Sequence, residues 1–249
     1  MTTLASICAV ACGRNSRGAG APPDNIMTGS GWVTLTTSAG LSFSAASRDS
    51  VGPGKGVAIY IHGKEIEDLG YEAAADGGYD VVAFVDALAD AGYAALGPLR
   101  PGGRSIPEYD AIHERSIRHM TTDRNASVSR LFVIGFSKGG LLNLRIAVDA
   151  GLSPAAFIFM SPAPFTGADS WSNTATDPNL QRIIAPVHVT LGANEPNAEI
   201  VTNVNKFISD LQRLGKTVTS KTDYPGDHQW FHKVRSEYWP DIVNFMASH

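Results

Sequence analysis

Apolar and polar residues alternate with two different periods along the chain, and the changes of period divide it into strands and helices. From about residue 30, GWVTLTT and LSFSAAS alternate with a period of two, which predicts a pair of half-exposed strands. Further on, short continuous apolar runs, typical of buried strands, alternate with helical patterns. These predicted strands are GVAIYI, YAALG, RLFVI, AAFIFM and VHVTL, with VTSKTDY as a last short strand.

Helical patterns separate the apolar runs. DVVAFVDALADAG gathers its apolar residues on one helical face and ends at Gly92, and IPEYDAIHERSIRHM carries Pro107 in its first turn. GLLNLRIAVDAG and EIVTNVNKFISDLQRLGK end at Gly151 and Gly215, and a final helix is predicted to start near Pro240. Repeated strand–helix units with apolar strands predict an α/β fold, in which helices cover both faces of a mostly parallel sheet.

The composition is that of a folded globular chain, and it excludes several classes of protein. Of the 249 residues, 43% are hydrophobic and 18% are charged, and the formal net charge is −4. Because nucleic-acid phosphates require a basic surface, we expect no nucleic-acid partner. No apolar stretch reaches the roughly 20 residues that span a membrane. The only cysteines, Cys8 and Cys12, have a spacing that indicates no metal site.

The first 25 residues differ from the rest of the chain. MTTLASICAVAC is apolar and small, like part of an export signal, and AVAC resembles a lipoprotein cleavage site, although no Lys or Arg follows Met1. Two interpretations stay open: an exported or lipid-anchored protein if residues 1–12 are a truncated signal, and a cytoplasmic protein otherwise. Residues 13–25 have the composition of a flexible linker. We therefore expect a leader or tail over residues 1–25 and a single domain over residues 26–249.

A serine between glycines is the first candidate for chemistry. The pentapeptide GFSKG, residues 135–139, fits the pattern G-x-S-x-G, directly follows the run RLFVI and directly precedes a helix. That setting is typical of a nucleophile elbow, a sharp turn that lifts a serine hydroxyl above the edge of a sheet. The start of the following helix also favours negative charge on a substrate oxygen. We therefore predict that Ser137 is a nucleophile.

A serine nucleophile needs a base, and the base needs an acid that orients it. Among the seven histidines, His228 lies in the loop YPGDHQWF after the last strand; His232, nearer the final helix, is the alternative. His113 falls on a predicted helix and is expected to face solvent. Glu195 follows the strand VHVTL and fits the chain order Ser–acid–His, and Asp169, after the preceding strand, is the alternative acid.

A candidate oxyanion hole follows an earlier strand. His62 and Gly63 come directly after GVAIYI, at the end of that strand. Gly63 allows the backbone to approach closely. A backbone N–H there and the N–H of Lys138, the residue after the serine, can together donate to one substrate oxygen.

With these four elements in order, the chain resembles the α/β-hydrolase superfamily from about residue 30 to its end, and within it the small dienelactone-hydrolase-like and esterase branch. IHG resembles the oxyanion loop, GFSKGG the elbow, GANEP the acid loop and YPGDHQWF the histidine loop. The resemblance implies a doubly wound, mostly parallel sheet of the α/β-hydrolase type. It also implies that Ser137, Glu195 and His228 are nucleophile, acid and base. Lys64 and Lys138 would then supply the N–H groups of the oxyanion hole.

The segment between AAFIFM and VHVTL is where cap domains are usually inserted in this superfamily. It holds only roughly two dozen residues here, so we expect a flap and no large cap domain. Phe165 and Trp171 in this segment, and Trp230 in the histidine loop, are candidate substrate-binding residues, because ligand pockets are mostly apolar.

Together these features predict a serine hydrolase of carboxylic esters that works through an acyl-enzyme intermediate. Its partner would be a small-molecule ester, and no cofactor or metal is implied. A peptidase or an acyltransferase would use the same triad, and a non-catalytic binding protein would share the fold, so these alternatives stay open. The sequence predicts no oligomeric state.

Overall fold

A computed structural model describes residues 25–149, 152–163, 170–228 and 235–249. These residues form an eight-stranded sheet with helices on both faces. The strands are β1 (Trp32–Thr36), β2 (Ser42–Arg48), β3 (Gly56–Ile61), β4 (Tyr93–Pro98), β5 (Leu131–Phe136), β6 (Ala156–Met160), β7 (Val187–Gly192) and β8 (Val218–Tyr224).

The sheet has the order β1-β2-β4-β3-β5-β6-β7-β8, with β2 antiparallel to both of its neighbours and β3 to β8 parallel. The predicted mostly parallel sheet is therefore confirmed. The expectation of two half-exposed strands is wrong for β2. This strand lies between β1 and β4, and its residues Phe43, Ser44, Ala45 and Ala46 are buried on both faces of the sheet.

Nine helices occur in the described residues. They are α1 (Glu65–Leu69), α2 (Tyr71–Asp76), α3 (Val81–Asp90), α4 (Ile106–Arg118), α5 (Lys138–Asp149), α6 (Trp171–Thr174), α7 (Asp177–Leu180), α8 (Ala198–Arg213) and α9 (Arg235–Ala247). A π-helical turn over His119–Asp123 and a 3-10 turn over Val128–Arg130 connect α4 to β5.

Local signals explain where several helices begin. The carboxylate of Asp80 accepts a hydrogen bond from the Ala83 N–H at 3.0 Å and caps α3, and Ser105 with Glu108 forms a capping box at the start of α4.

The final helix begins at Arg235, so the prediction of a start near Pro240 is wrong: this proline lies inside α9. The helices α1, α2, α6 and α7 have four to six residues each, too few to show a helical period in the sequence.

The hydrophobic core forms two layers, one on each face of the sheet. On one face, Ile112 of α4, Leu141 of α5 and Phe207 of α8 pack in the layer that covers β5 and β7. On the other face, Val85 of α3 and Ile242 of α9 belong to the second layer. This double covering explains why the parallel strands are continuous apolar runs.

Asn25, which we predicted to be the last residue of the leader, belongs to the folded body. Its side-chain amide donates hydrogen bonds to the carbonyl groups of Ile66 at 3.1 Å and Arg100 at 2.9 Å, and its oxygen accepts one from the Tyr71 N–H at 2.8 Å. The other residues of the predicted leader lie outside the described residues. No described helix has the length and apolar character needed to cross a bilayer.

The described part of the segment between β6 and β7 holds only the short helices α6 and α7. The prediction that no large cap domain is present is thus confirmed for that part of the chain.

Candidate active site

Ser137 occupies a strained turn between β5 and α5. Its φ angle is 53°, in the left-handed region that a residue with a side chain seldom adopts. The turn is held on both sides: the Ser137 N–H donates to the Met160 carbonyl at 3.0 Å, and the Ser137 carbonyl accepts from the Ala163 N–H at 2.9 Å. The serine predicted from the motif therefore lies at the carboxyl end of β5, with the strain typical of a nucleophile elbow.

Two positions of the motif require glycine, because a side chain at either of them would have no room. A Cβ atom on Gly135 would lie 2.3 Å from the carbonyl oxygen of Gly139. A Cβ atom on Gly139 would lie 2.0 Å from the carbonyl oxygen of Ile61 and 2.6 Å from that of His62. The start of α5 is thus packed directly against the end of β3, where the predicted oxyanion loop begins.

The structure brings Ser137, His228 and Glu195 together in one chain of hydrogen bonds. His228 Nδ1 lies 2.7 Å from Glu195 Oε2, and His228 Nε2 lies 2.9 Å from Ser137 Oγ. An ionised carboxylate can only accept, so Nδ1 carries the proton and Nε2 is left to accept from the serine hydroxyl. The three residues follow β5, β7 and β8, so the carboxyl ends of three parallel strands meet at this site.

Glu195 is held as a carboxylate by several donors. Its Oε2 also accepts from the Ser161 hydroxyl at 2.9 Å, and its Oε1 accepts from the Asn197 N–H at 3.2 Å. Burial alone would raise the pKa of Glu195, but the hydrogen bond and charge of His228, together with these two donors, lower the pKa below its usual value. The acid therefore stays ionised, which favours the histidine tautomer described above.

Glu65 provides a second carboxyl group near His228, and its pKa is shifted in the opposite direction. Burial raises the pKa of Glu65, the effect outweighing its bond to its own N–H and the charge of His228, and its Oε2 atom has no hydrogen-bond partner among the described residues. Environments that push the pKa values of two carboxyls apart separate their roles. The hydrogen bond to His228 Nδ1 is made by Glu195.

Ser161 is a site residue that the sequence analysis did not identify. It is fully buried at the end of β6, has a φ angle of 42°, and donates its N–H to the Thr190 carbonyl at 2.9 Å. This backbone position directs its hydroxyl to Glu195. The signal available in the sequence was its place directly after a buried strand, at the same sheet edge as the other site residues.

His62 fixes the conformation of the loop that follows β3. The backbone N–H of Arg100 donates to His62 Nε2 at 3.0 Å, so Nδ1 carries the proton and donates to the Gly63 carbonyl at 2.7 Å. Burial, and then the nearby charge of Arg100, lower the pKa of His62 well below its usual value. His62 is therefore a neutral scaffold residue of the predicted oxyanion loop.

Three buried charged side chains lie behind this loop, and we call Glu67, Arg100 and Lys138 the ionic cluster. Glu67 Oε1 accepts from Arg100 Nε at 2.7 Å, and Glu67 Oε2 accepts from Lys138 Nζ at 2.5 Å. Arg100 Nη2 in turn donates to the His62 carbonyl at 2.5 Å and to the Gly63 carbonyl at 3.1 Å. The cluster therefore connects the loop after β3 with the residue that follows the serine.

His113 corrects one expectation. It is fully buried on α4, and burial followed by the charges of Arg100 and Lys138 lowers its pKa well below the usual value. The prediction that it faces solvent is wrong, because the face of α4 that carries it packs toward the ionic cluster.

Comparison with known proteins gives a clear result for the fold and none for the sequence. No family model and no curated protein matches the chain by sequence. The structure is similar to the esterase Est22, with a TM-score of 0.69 and 14% identity over 88% of this chain and 80% of that one. It is also similar to the Pyrococcus horikoshii acylaminoacyl peptidase, with a TM-score of 0.67 and 14% identity over 86% of this chain and 40% of the peptidase.

A third similar structure is a Klebsiella pneumoniae protein assigned to the dienelactone hydrolases, with a TM-score of 0.61 and 16% identity over 88% of this chain and 99% of that one. At 14% to 16% identity, these similarities concern the fold alone. The chain has the α/β-hydrolase fold.

Of the three predicted substrate-binding residues, only Trp171 lies in the described part of this α/β-hydrolase fold. Trp171 is 2% exposed and packs edge-on against Phe159 and Phe207, with ring centroids 6.2 and 5.0 Å away. Its ring is part of the core, where we predicted a pocket-lining residue. Phe165 and Trp230 lie outside the described residues, as do the alternatives Asp169 and His232.

No group of three or more metal-ligating side chains occurs in the described part of this α/β-hydrolase fold.

Proposed function

We propose that the protein is a serine hydrolase of carboxylic esters and that Ser137 forms the acyl-enzyme. The observation that carries this proposal is the hydrogen-bonded chain from Ser137 through His228 to Glu195. A serine hydroxyl is a weak nucleophile until a positioned base can take its proton. The strained backbone of Ser137 supports the same role, because strain of this kind is typical of functional turns.

The first half of the reaction follows from this geometry. Ser137 Oγ attacks the ester carbonyl carbon while its proton passes to His228 Nε2, and the Glu195 carboxylate stabilises the imidazolium that forms. The backbone N–H groups of Lys64 and Lys138 would donate to the carbonyl oxygen as it becomes negative. Lys138 is the first residue of α5, so the partial positive charge at the start of this helix acts on the same oxygen. The tetrahedral adduct then collapses: the alcohol leaves with the proton from His228, and the acyl group stays on Ser137.

The second half uses the same groups with water. His228 takes a proton from a water molecule, the resulting oxygen nucleophile attacks the acyl carbon, and the proton returns to Ser137 Oγ as the carboxylic acid leaves. Apart from the ester and water, each step as written uses only the residues named.

Labelling with a fluorophosphonate probe tests for an activated serine before any substrate is chosen. We expect stoichiometric labelling of the purified protein, no labelling of Ser137→Ala, and normal labelling of the control Ser129→Ala, which changes an exposed serine. An unlabelled wild-type protein would favour the alternative of a non-catalytic binding protein, and a labelled Ser137→Ala would place the nucleophile elsewhere.

Matched substrates separate the ester hydrolase from its enzymatic alternatives. We expect hydrolysis of p-nitrophenyl butyrate and much slower hydrolysis of the corresponding p-nitroanilide. Faster cleavage of the anilide would favour a peptidase. Transfer of the butyryl group to an added alcohol in preference to water would favour an acyltransferase.

A further inference from the structure

The ionic cluster is more deeply buried than a purely stabilising group of charges needs to be. The side chains of Arg100, Glu67 and Lys138 are 0%, 4% and 10% exposed. Removing charges from water is so unfavourable that a buried ion pair is often no more stable than the apolar side chains that could replace it. Stability alone therefore does not account for three charges in this place.

The cluster holds two separate pieces of backbone. Arg100 donates to the carbonyl groups of both His62 and Gly63, the two residues that precede Lys64. Lys138 is the residue next to Ser137, and its ammonium group is bonded to Glu67. Glu67 is the one member that contacts both cations, so it couples the loop after β3 to the start of α5.

The cluster also carries a net positive charge, since it has two cations and one anion. The two histidines packed near it do not change this sum at neutral pH, because burial lowers the pKa of both His62 and His113. A buried positive charge is weakly screened and therefore acts strongly on a negative charge that develops nearby.

We infer that Glu67 is a positioning residue of the oxyanion hole: through Arg100 and Lys138 it holds the backbone N–H groups of Lys64 and Lys138 on one substrate oxygen. This inference rests on the proposed ester hydrolysis. The ionic cluster then acts on the tetrahedral adduct and not on the bound ester, because the full negative charge exists only in the adduct.

Glu67→Gln tests the role of the carboxylate. We expect kcat to fall by about 10- to 100-fold while KM stays within about twofold. This fall in kcat is smaller than the one caused by removing an oxyanion-hole donor itself. Affinity for a trifluoromethyl ketone, which forms a tetrahedral adduct with the serine, is expected to fall by a similar factor. Glu72→Gln, on the exposed face of α2, is the matched control and should match the wild type in all three quantities.

A double variant separates positioning from burial of charge. Glu67→Gln combined with Lys138→Met keeps the net charge of the cluster but removes the link between the loop and α5. If Glu67 is a positioning residue, the double variant recovers the thermal stability lost in Glu67→Gln, while its kcat and ketone affinity stay low. If the role is purely structural, stability, kcat and ketone affinity all recover together.

The outcomes distinguish this inference from the proposed function. Wild-type kcat and ketone affinity in a folded Glu67→Gln, with no activity in Ser137→Ala, would overturn the inference alone. Wild-type activity in Ser137→Ala would overturn both. If Glu67→Gln does not fold, Lys138→Met decides in its place, because Glu67 keeps Arg100 as a partner there: a lowered kcat with unchanged KM supports the inference, and wild-type values overturn it.

Discussion

The two sides of Ser137 are built in different ways. On the side of Glu195 and His228, short hydrogen bonds run between residues that each follow a parallel strand, and the histidine is partly exposed. On the side of the ionic cluster, three almost fully buried charged groups are bonded to one another and to backbone carbonyl groups. Under the proposed function, the side of Glu195 and His228 transfers protons and the side of the ionic cluster holds backbone N–H groups in place; we call them the proton-transfer side and the ionic side.

Loss of the base His228 should have the largest effect on the rate of hydrolysis. His228→Ala removes the group that takes the Ser137 proton, and we expect the rate of ester hydrolysis to fall by about 10⁴- to 10⁶-fold, as for other triad bases. Measurement of kcat with p-nitrophenyl butyrate checks this. A larger loss from Glu67→Gln than from His228→Ala would reverse the roles of the two sides.

Glu195→Gln should rank next. The amide keeps the shape of the side chain but cannot stabilise the imidazolium and can favour the wrong tautomer, so we expect a loss of about 10³- to 10⁴-fold in kcat. Asp169→Asn should be nearly silent in the same assay. A large effect of Asp169→Asn with a small effect of Glu195→Gln would transfer the role of the acid to Asp169.

Ser161→Gly sharpens the comparison within the proton-transfer side. The variant removes the hydroxyl that bonds Glu195, and glycine tolerates the φ angle of 42° that strains serine. We expect kcat to fall by about tenfold because one donor to the acid is lost, while the free energy of unfolding changes by less than about 1 kcal/mol. Kinetics and urea unfolding measure the two effects. An unchanged kcat would show that His228 and the Asn197 N–H suffice to hold Glu195.

Acid should lower the free energy of unfolding through the two neutral histidines that lie near the ionic cluster. His62 and His113 have folded-state pKa values below the value of 6.5 expected in the unfolded chain, so the unfolded state binds more protons as the pH falls. The stability they contribute is full above about pH 6.5 and declines as the pH falls below it. Urea unfolding from pH 7 to pH 4 should show this loss, and His113→Leu should flatten it.

His188 offers a control for this pH dependence at a distance from the ionic cluster. It lies on β7 against Phe245, and burial lowers its pKa to about 4. Its share of stability, present above pH 6.5 and lost toward pH 4, is about 3 kcal/mol at most. His188→Gln should remove that share and leave the share of His113 in place. Identical profiles for both variants and the wild type would contradict both assignments.

The fold could be predicted well from the sequence because the determining signals are local. Continuous apolar strands, alternating with amphipathic helices, already imply the parallel sheet, and the elbow, acid and histidine candidates all lie within four residues of a strand end. Positions next to a strand end can be located without knowing any long-range contact, since parallel strands bring their carboxyl ends together.

The supporting residues could not be predicted because their roles depend on partners far away in the chain. Glu67 is 33 residues from Arg100 and 71 from Lys138, and nothing in a short helix of charged residues distinguishes a buried carboxylate from a solvated one. His113 was assigned to solvent for the same reason: its polar ring gives no sign of the charges that it packs near.

The tight packing around the start of α5 limits how this protein could be remodelled by directed evolution. Around the nucleophile, positions 135, 139 and 140 would place even an alanine methyl 2.3, 2.0 and 2.5 Å from a neighbouring atom. Substitutions at these three positions would therefore require neighbouring atoms to move. Diversity introduced at exposed loop positions such as Asn194, two residues beyond the end of β7, would leave this packing around the nucleophile unchanged.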